Sequence, residues 1–187
     1  MAQEPQTNYK TDRDVSNVRD QCQTPPYAVD ILLPYLKQFN IIWEPAAGKL
    51  FMVKKLAETH SVVYGDLIEG QNYFHDNMVP MHYDCQVTNP PYGIMRQWLE
   101  RAIELGKPFA LLVKLTGIIG CAEGQRLFLN NDLQLLIPDK RIDFLMPIKQ
   151  SWTESSSPFL SVWVTRGLNL PEKHTYCTMV KPKKVKL

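Results

Sequence analysis

Short apolar runs alternate with longer amphipathic stretches along most of this chain. Ile41-Ile42-Trp43, Val62-Val63-Tyr64, Cys85–Thr88, Phe109–Val113 and Leu133–Ile137 have the length and side chains of buried strands. Phe159–Thr165 alternates like a late strand, and Thr175–Val180 suggests a further one. Between them lie helical patterns. Pro25 and Pro26 precede Val29, Ile31, Leu32, Leu33 and Leu36, which predicts one helix starting on proline. Leu50, Val53, Leu56 and Ala57 predict a second helix, and Ile94, Trp98, Leu99 and Ala102 a third that continues through Ile103. Residues 122–130 also read as helical. Lys114-Leu115-Thr116-Gly117 is expected to be a loop, and Lys149 with the polar run Ser151–Ser157 a mobile substrate lid.

Strands alternating with helices predict an α/β fold with a parallel sheet covered on both faces. Ligands of such sheets sit beyond the carboxyl ends of the strands. Glu44, Asp66, Asn89 and Lys114 all fall at those ends. Polar residues with a purely internal role would not be sorted to one rim.

The 187 residues suit one domain with a substantial core. Residues 1–20 are polar and aperiodic and are expected to be partly disordered, 21–180 form the domain, and 181–187 form a basic tail. That tail carries four lysines and suits phosphates, a nuclear-import signal or plain solvation. A net charge of +2 does not by itself mark a nucleic-acid binder. Cys22, Cys85, Cys121 and Cys177 are scattered, which argues against a zinc site or a disulfide scaffold. No leader or membrane-length apolar run is evident, so a soluble cytoplasmic protein is expected. The four histidines show no ligand spacing.

Asn89-Pro90-Pro91-Tyr92 carries the most chemistry. Two prolines remove two backbone donors and fix φ, and the residue before each is pushed to extended geometry. The turn is stiff and presents an amide, a carbonyl and an aromatic ring at the end of a strand. The Asn89 side-chain oxygen and the Pro90 carbonyl can accept from a planar amine while Tyr92 stacks on a flat ring. The same four residues also make an ordinary tight turn.

Glu44-Pro45-Ala46-Ala47-Gly48 lacks the spacing of a phosphate loop, and its acid would repel a pyrophosphate. A ligand with a cationic amine and a carboxylate fits better. Asp66 follows roughly 20 residues later, where a carboxylate takes ribose hydroxyls, although it also reads as a turn residue before Gly70. Together they suggest a nucleoside that carries an amino acid.

On these motifs, residues 21–166 resemble class I S-adenosylmethionine-dependent methyltransferases, and most nearly the phage-type DNA N6-adenine methyltransferases. The resemblance implies a Rossmann-like fold with a mostly parallel seven-stranded sheet, helices on both faces and an antiparallel last strand. It implies S-adenosyl-L-methionine as cofactor and no metal. Gln23-Thr24-Pro25-Pro26 resembles the segment that closes the cofactor pocket. Thr24, Pro25, Glu44, Pro45, Ala46, Gly48, Asp66, Asn72, Tyr73 and Asn89 are then the cofactor residues, with Asn72 and Tyr73 facing its adenine. Asn89, Pro90, Pro91 and Tyr92 are the catalytic set.

The substrate residues expected are Tyr92, Lys114, Trp152, Lys140 and Arg141. A duplex base would have to leave the stack, held by Tyr92 and by one of Phe144, Trp152 or Phe159, all of which also suit a core. Where the family loop usually has a second glycine, this chain has Leu50, whose side chain fits at negative φ. No segment is large enough for a target-recognition domain, so specificity would come from loops, a separate partner or a homo-oligomer. DNA is the favoured substrate. RNA adenine methylation, protein glutamine methylation and a non-catalytic binding role are the alternatives.

Overall fold

Seven of the expected and observed strands assemble into one sheet in the computed structural model, which describes residues 22–67, 70–148 and 151–182. They are β1 (Ile41–Glu44), β2 (Ser61–Tyr64), β3 (Cys85–Thr88), β4 (Phe109–Lys114), β5 (Gln134–Pro138), β8 (Ser161–Arg166) and β9 (His174–Cys177). Their order is β2-β1-β3-β4-β8-β5-β9. The antiparallel strand expected late in the chain is β8, inserted between β4 and β5; β9 follows it and runs parallel to β5. This is the doubly wound architecture that the alternation predicts. The chain reverses its direction of growth between β1 and β3, which are neighbours in parallel register (Ile42 opposite Cys85).

Side-chain alternation along the central strands builds two cores. On β4, Ala110 and Leu112 face one side and Phe109, Leu111 and Val113 the other. The first side packs under α1 (Pro26–Asp30), α2 (Leu33–Leu36) and α3 (Phe51–Leu56) through Val29, Leu32, Leu36, Met52 and Leu56. The second packs under α4 (Met95–Glu104) and α5 (Leu115–Ile119) through Met95, Leu99, Ala102 and Ile118, with α6 (Ala122–Asn130) alongside. The edge strand β2 is mostly exposed.

Several local expectations are corrected. The helix expected over 26–36 is two short helices, because Pro34 removes an N–H donor just where one continuous helix would need it. Leu115, Thr116 and Gly117, expected in a loop with Lys114, belong to α5. The expected lid is instead a hairpin: β6 (Asp143–Ile148) pairs antiparallel with β7 (Ser151–Ser156), outside the main sheet. Lys149 lies outside the described residues, as do residues 1–21 and 183–187.

The hairpin is moored by the segment that opens the described chain. Gln23 bridges Leu145, and Tyr27 Oη exchanges hydrogen bonds with the Asp143 backbone, accepting from its N–H at 2.9 Å and donating to its carbonyl at 3.1 Å. The Asp143 carboxylate accepts from Ser156 and Lys181. No helix among the described residues is long and apolar enough to cross a membrane.

Candidate functional site

The reversal between β1 and β3 puts the switch point of the sheet at their carboxyl ends, the place where doubly wound sheets generally bind ligands. Glu44 closes β1 there, and Thr88 closes β3 with Asn89 next in the chain. Glu44 is 1% exposed. Its Oε1 accepts from the Ala46 N–H at 2.9 Å and from Thr88 Oγ1 at 2.5 Å. Burial pushes its carboxyl up to about 8, against the lowering effect of those two bonds, and the Asp66 charge adds to the rise.

The loop after β1 is closely held. The Gly48 N–H donates to Asp66 Oδ2 at 2.7 Å, and the Lys49 N–H to Gln23 Oε1 at 2.8 Å. Gly48 has φ of +51°, and the Gln23 amide lies over it so closely that a Cβ would fall 2.7 Å away. The left-handed φ favours glycine there, and any larger residue would also have to displace the Gln23 amide. Leu50, whose side chain would fit readily if φ were negative, instead has φ of +64° and caps α3 in the left-handed region. The backbone therefore keeps the conformation that a glycine would adopt, and Leu50 carries the strain.

Asn72 and Tyr73 separate in role. Asn72 Oδ1 accepts from the Phe74 N–H at 3.0 Å, which makes an Asx turn. Tyr73, expected at the cofactor adenine, is 3% exposed; its ring stacks on Trp98 at 3.9 Å and its hydroxyl donates to Gln86. Its ring belongs to the aromatic cluster with Trp43 and Tyr83, so it does not offer an open face. Thr24 and Pro25 are buried beside the loop-covering Gln23 in sequence and start α1.

At the β3 end, Pro90 is buried and Asn89 half-buried. Asn89 Oδ1 is fully buried and has no hydrogen-bond partner among the described residues. Such an orphan costs stability unless something else requires it. Tyr92 opens a single 3-10 turn and borders a cleft of about 990 Å³ between α4 and the β6–β7 hairpin. Its ring meets Phe159 edge to face at 5.3 Å and Phe144 at 6.1 Å. Lys114 also lines the cleft, with its Nζ 5.2 Å from the centre of the Phe159 ring.

Three of the residues expected at the substrate do not line the cleft that Tyr92 borders. The Trp152 ring meets Phe51 at the start of α3, with ring centroids 5.5 Å apart. Lys140 and Arg141 are exposed beyond β5 and do not line the cleft; Lys140 Nζ donates to the Met179 carbonyl and pairs with Asp139. Ser156, from a strand that sequence reasoning did not expect, lines the cleft instead. Thr88 was also missed, since a lone threonine at a strand end reads as an ordinary β-former. Lys55 and Arg101 are engaged in ion pairs with Asp30 and Glu58 and with Asp76 and Glu104.

The chain matches no family model and no curated protein. Its fold is similar to that of a protein assigned as a type I restriction enzyme modification subunit from Vibrio vulnificus YJ016, with a TM-score of 0.52 at 12% identity over 93% of this chain and 50% of that one. It thus spans about half the length of that subunit. A weaker likeness links it to precorrin-6y C5,15-methyltransferase from Geobacter metallireducens GS-15, with a TM-score of 0.45 at 7% identity over 74% of this chain and 87% of that one. The architecture is the Rossmann-like fold of class I methyltransferases, with a mostly parallel seven-stranded sheet flanked by helices.

Proposed function

We propose that the protein transfers a methyl group from S-adenosyl-L-methionine to the exocyclic N6 amine of adenine in DNA, using a single domain over residues 21–180. The observation that carries this reading is the Asn89 Oδ1 atom, buried and unpartnered one residue after Thr88, whose hydroxyl bonds the buried Glu44 at the switch point of the sheet. A planar NH2 group is what that acceptor lacks.

The residues at the switch point suit the cofactor's chemistry. Glu44 offers a buried carboxyl to a cationic amine, and Asp66 stands at the next strand end for a ribose. Tyr73, with its ring engaged elsewhere, contributes backbone or packing. When bound, S-adenosylmethionine supplies an electrophilic methyl group.

Asn89 Oδ1 and the Pro90 carbonyl accept the two N–H groups of the target amine. This favours the pyramidal nitrogen, whose lone pair is otherwise delocalised into the ring. Pro90 and Pro91 keep that pair of acceptors rigid, and orientation of this kind is worth roughly 7–11 kcal/mol. The surplus proton leaves after transfer, so no strong base is required. Tyr92 and Phe159 wall the base, which has left its stack, and Lys114 meets its phosphate at the cleft.

Sequence choice falls to the β6–β7 hairpin and to a partner subunit or second copy. The likeness to a modification subunit twice as long supports the partner. The test is incubation with radiolabelled cofactor and separate DNA, RNA and protein pools, followed by nucleoside analysis. Label in N6-methyladenine of DNA is expected. Label confined to RNA or protein overturns the substrate, and no label with no calorimetric cofactor binding overturns the enzyme.

A further inference from the structure

We propose that Thr88 is a positioning residue that ties the carboxyl at the end of β1 to the catalytic amide of Asn89. The proposal rests on the methyl-transfer reading above and adds to it a link between its two halves.

Thr88 is the last residue of β3 and is completely buried. Its hydroxyl donates to Glu44 Oε1, 44 residues away in the chain, at the carboxyl end of the neighbouring strand β1. The bond reaches a carboxyl in a dry site, where burial favours the protonated acid and the hydroxyl favours the ionised one. β-branching leaves Thr88 little rotamer freedom, and its backbone is fixed by pairing with Leu111 of β4. The position of its Oγ1 and the direction in which Asn89 leaves the strand are therefore set together. Glu44 cannot change its charge or its contacts without acting on the residue that precedes the catalytic turn.

Glu44 is faced by few groups. Asp66, from the end of β2, is the charged one; Thr88 comes from β3 and the Ala46 N–H from its own loop. The Thr88 bond favours the ionised carboxylate and opposes burial. Removing that bond makes the carboxylate harder to form and leaves the turn without its link to the cofactor side.

The test compares Thr88→Val, which keeps the shape, with Thr88→Ser, which keeps the hydroxyl. Thermal stability is followed from pH 5 to 10 without cofactor, S-adenosylmethionine binding by calorimetry over the same range, and kcat and KM on DNA. In T88V the alkaline midpoint of the stability curve is expected to rise by about one unit, with cofactor affinity and kcat each about tenfold lower at neutral pH. T88S restores all three. A T88V midpoint and kcat equal to the parental values, or a T88S variant as impaired as T88V, overturns the role of Thr88. A parental chain that binds no S-adenosylmethionine at any pH overturns the methyl-transfer reading itself, and Thr88's part in it.

Discussion

The Gly48 N–H donates to Asp66 Oδ2, which makes the loop after β1 and the end of β2 one unit. Asp66 thus holds a left-handed glycine, and under the proposed function it also meets a ribose. In Asp66→Ala both are lost: cofactor affinity falls about tenfold or more and the melting temperature drops by a few degrees. Asp66→Asn keeps an acceptor for Gly48, so calorimetry shows weakened binding while the melting temperature stays near the parental value. Equal binding by all three proteins would remove Asp66 from the site.

Leu50 is held at φ +64°. A left-handed conformation costs an L-residue about 1–2 kcal/mol, and glycine nothing in sterics. Leu50→Gly relieves that strain and loses chain entropy and some packing, so urea unfolding should show a change within about 1 kcal/mol. Leu50→Val places a branched Cβ in the same conformation and should destabilise by at least 1 kcal/mol more. The reverse order of stability would mean that the loop relaxes to negative φ.

Glu44 makes stability depend on pH. Its folded value of about 8 lies above the ordinary carboxyl range, so the folded chain holds a proton that the unfolded chain releases. Its stabilising contribution is fully present below about pH 4.5, and it is lost as pH rises through 8. The loss amounts to roughly 3–5 kcal/mol. Glu44→Gln keeps an oxygen for Ala46 and Thr88 and cannot ionise. Its thermal midpoint should stay flat between pH 6 and 9, while cofactor binding, which needs the charge, is lost.

Asn89→Ala separates chemistry from folding. Because Asn89 Oδ1 has no partner among the described residues, its removal orphans nothing. Methyl transfer should fall by about 10²–10³-fold, as when a single catalytic hydrogen-bonding group is lost. Cofactor affinity and melting temperature should be nearly unchanged. A variant with parental turnover would show that the turn is structural.

The legible parts of the sequence were those where one physical cause dominated. Runs such as Phe109–Val113 are buried on both faces and could only be central strands, and Glu44, Asp66, Asn89 and Lys114 do fall at or just past the carboxyl ends of their strands. The β6–β7 hairpin was not legible because β7, Ser151–Ser156, is almost wholly exposed and carries no apolar alternation. Leucine gave no hint of a left-handed cap at Leu50, since the loop imposes that conformation and not the residue. Tyr73 and Trp152 were ambiguous because an aromatic side chain satisfies a core and a ligand equally well, and only the fold decided for Trp98 and Phe51 as their partners.

The β6–β7 hairpin shares no ladder with the seven-stranded sheet and is joined to it by Gln23, Tyr27 and Lys181. Its outward side chains therefore carry almost no burden of folding. Such a flap can drift or lengthen while the engine beneath it keeps its register; under the proposed function, that makes it the natural seat of evolutionary change in substrate choice.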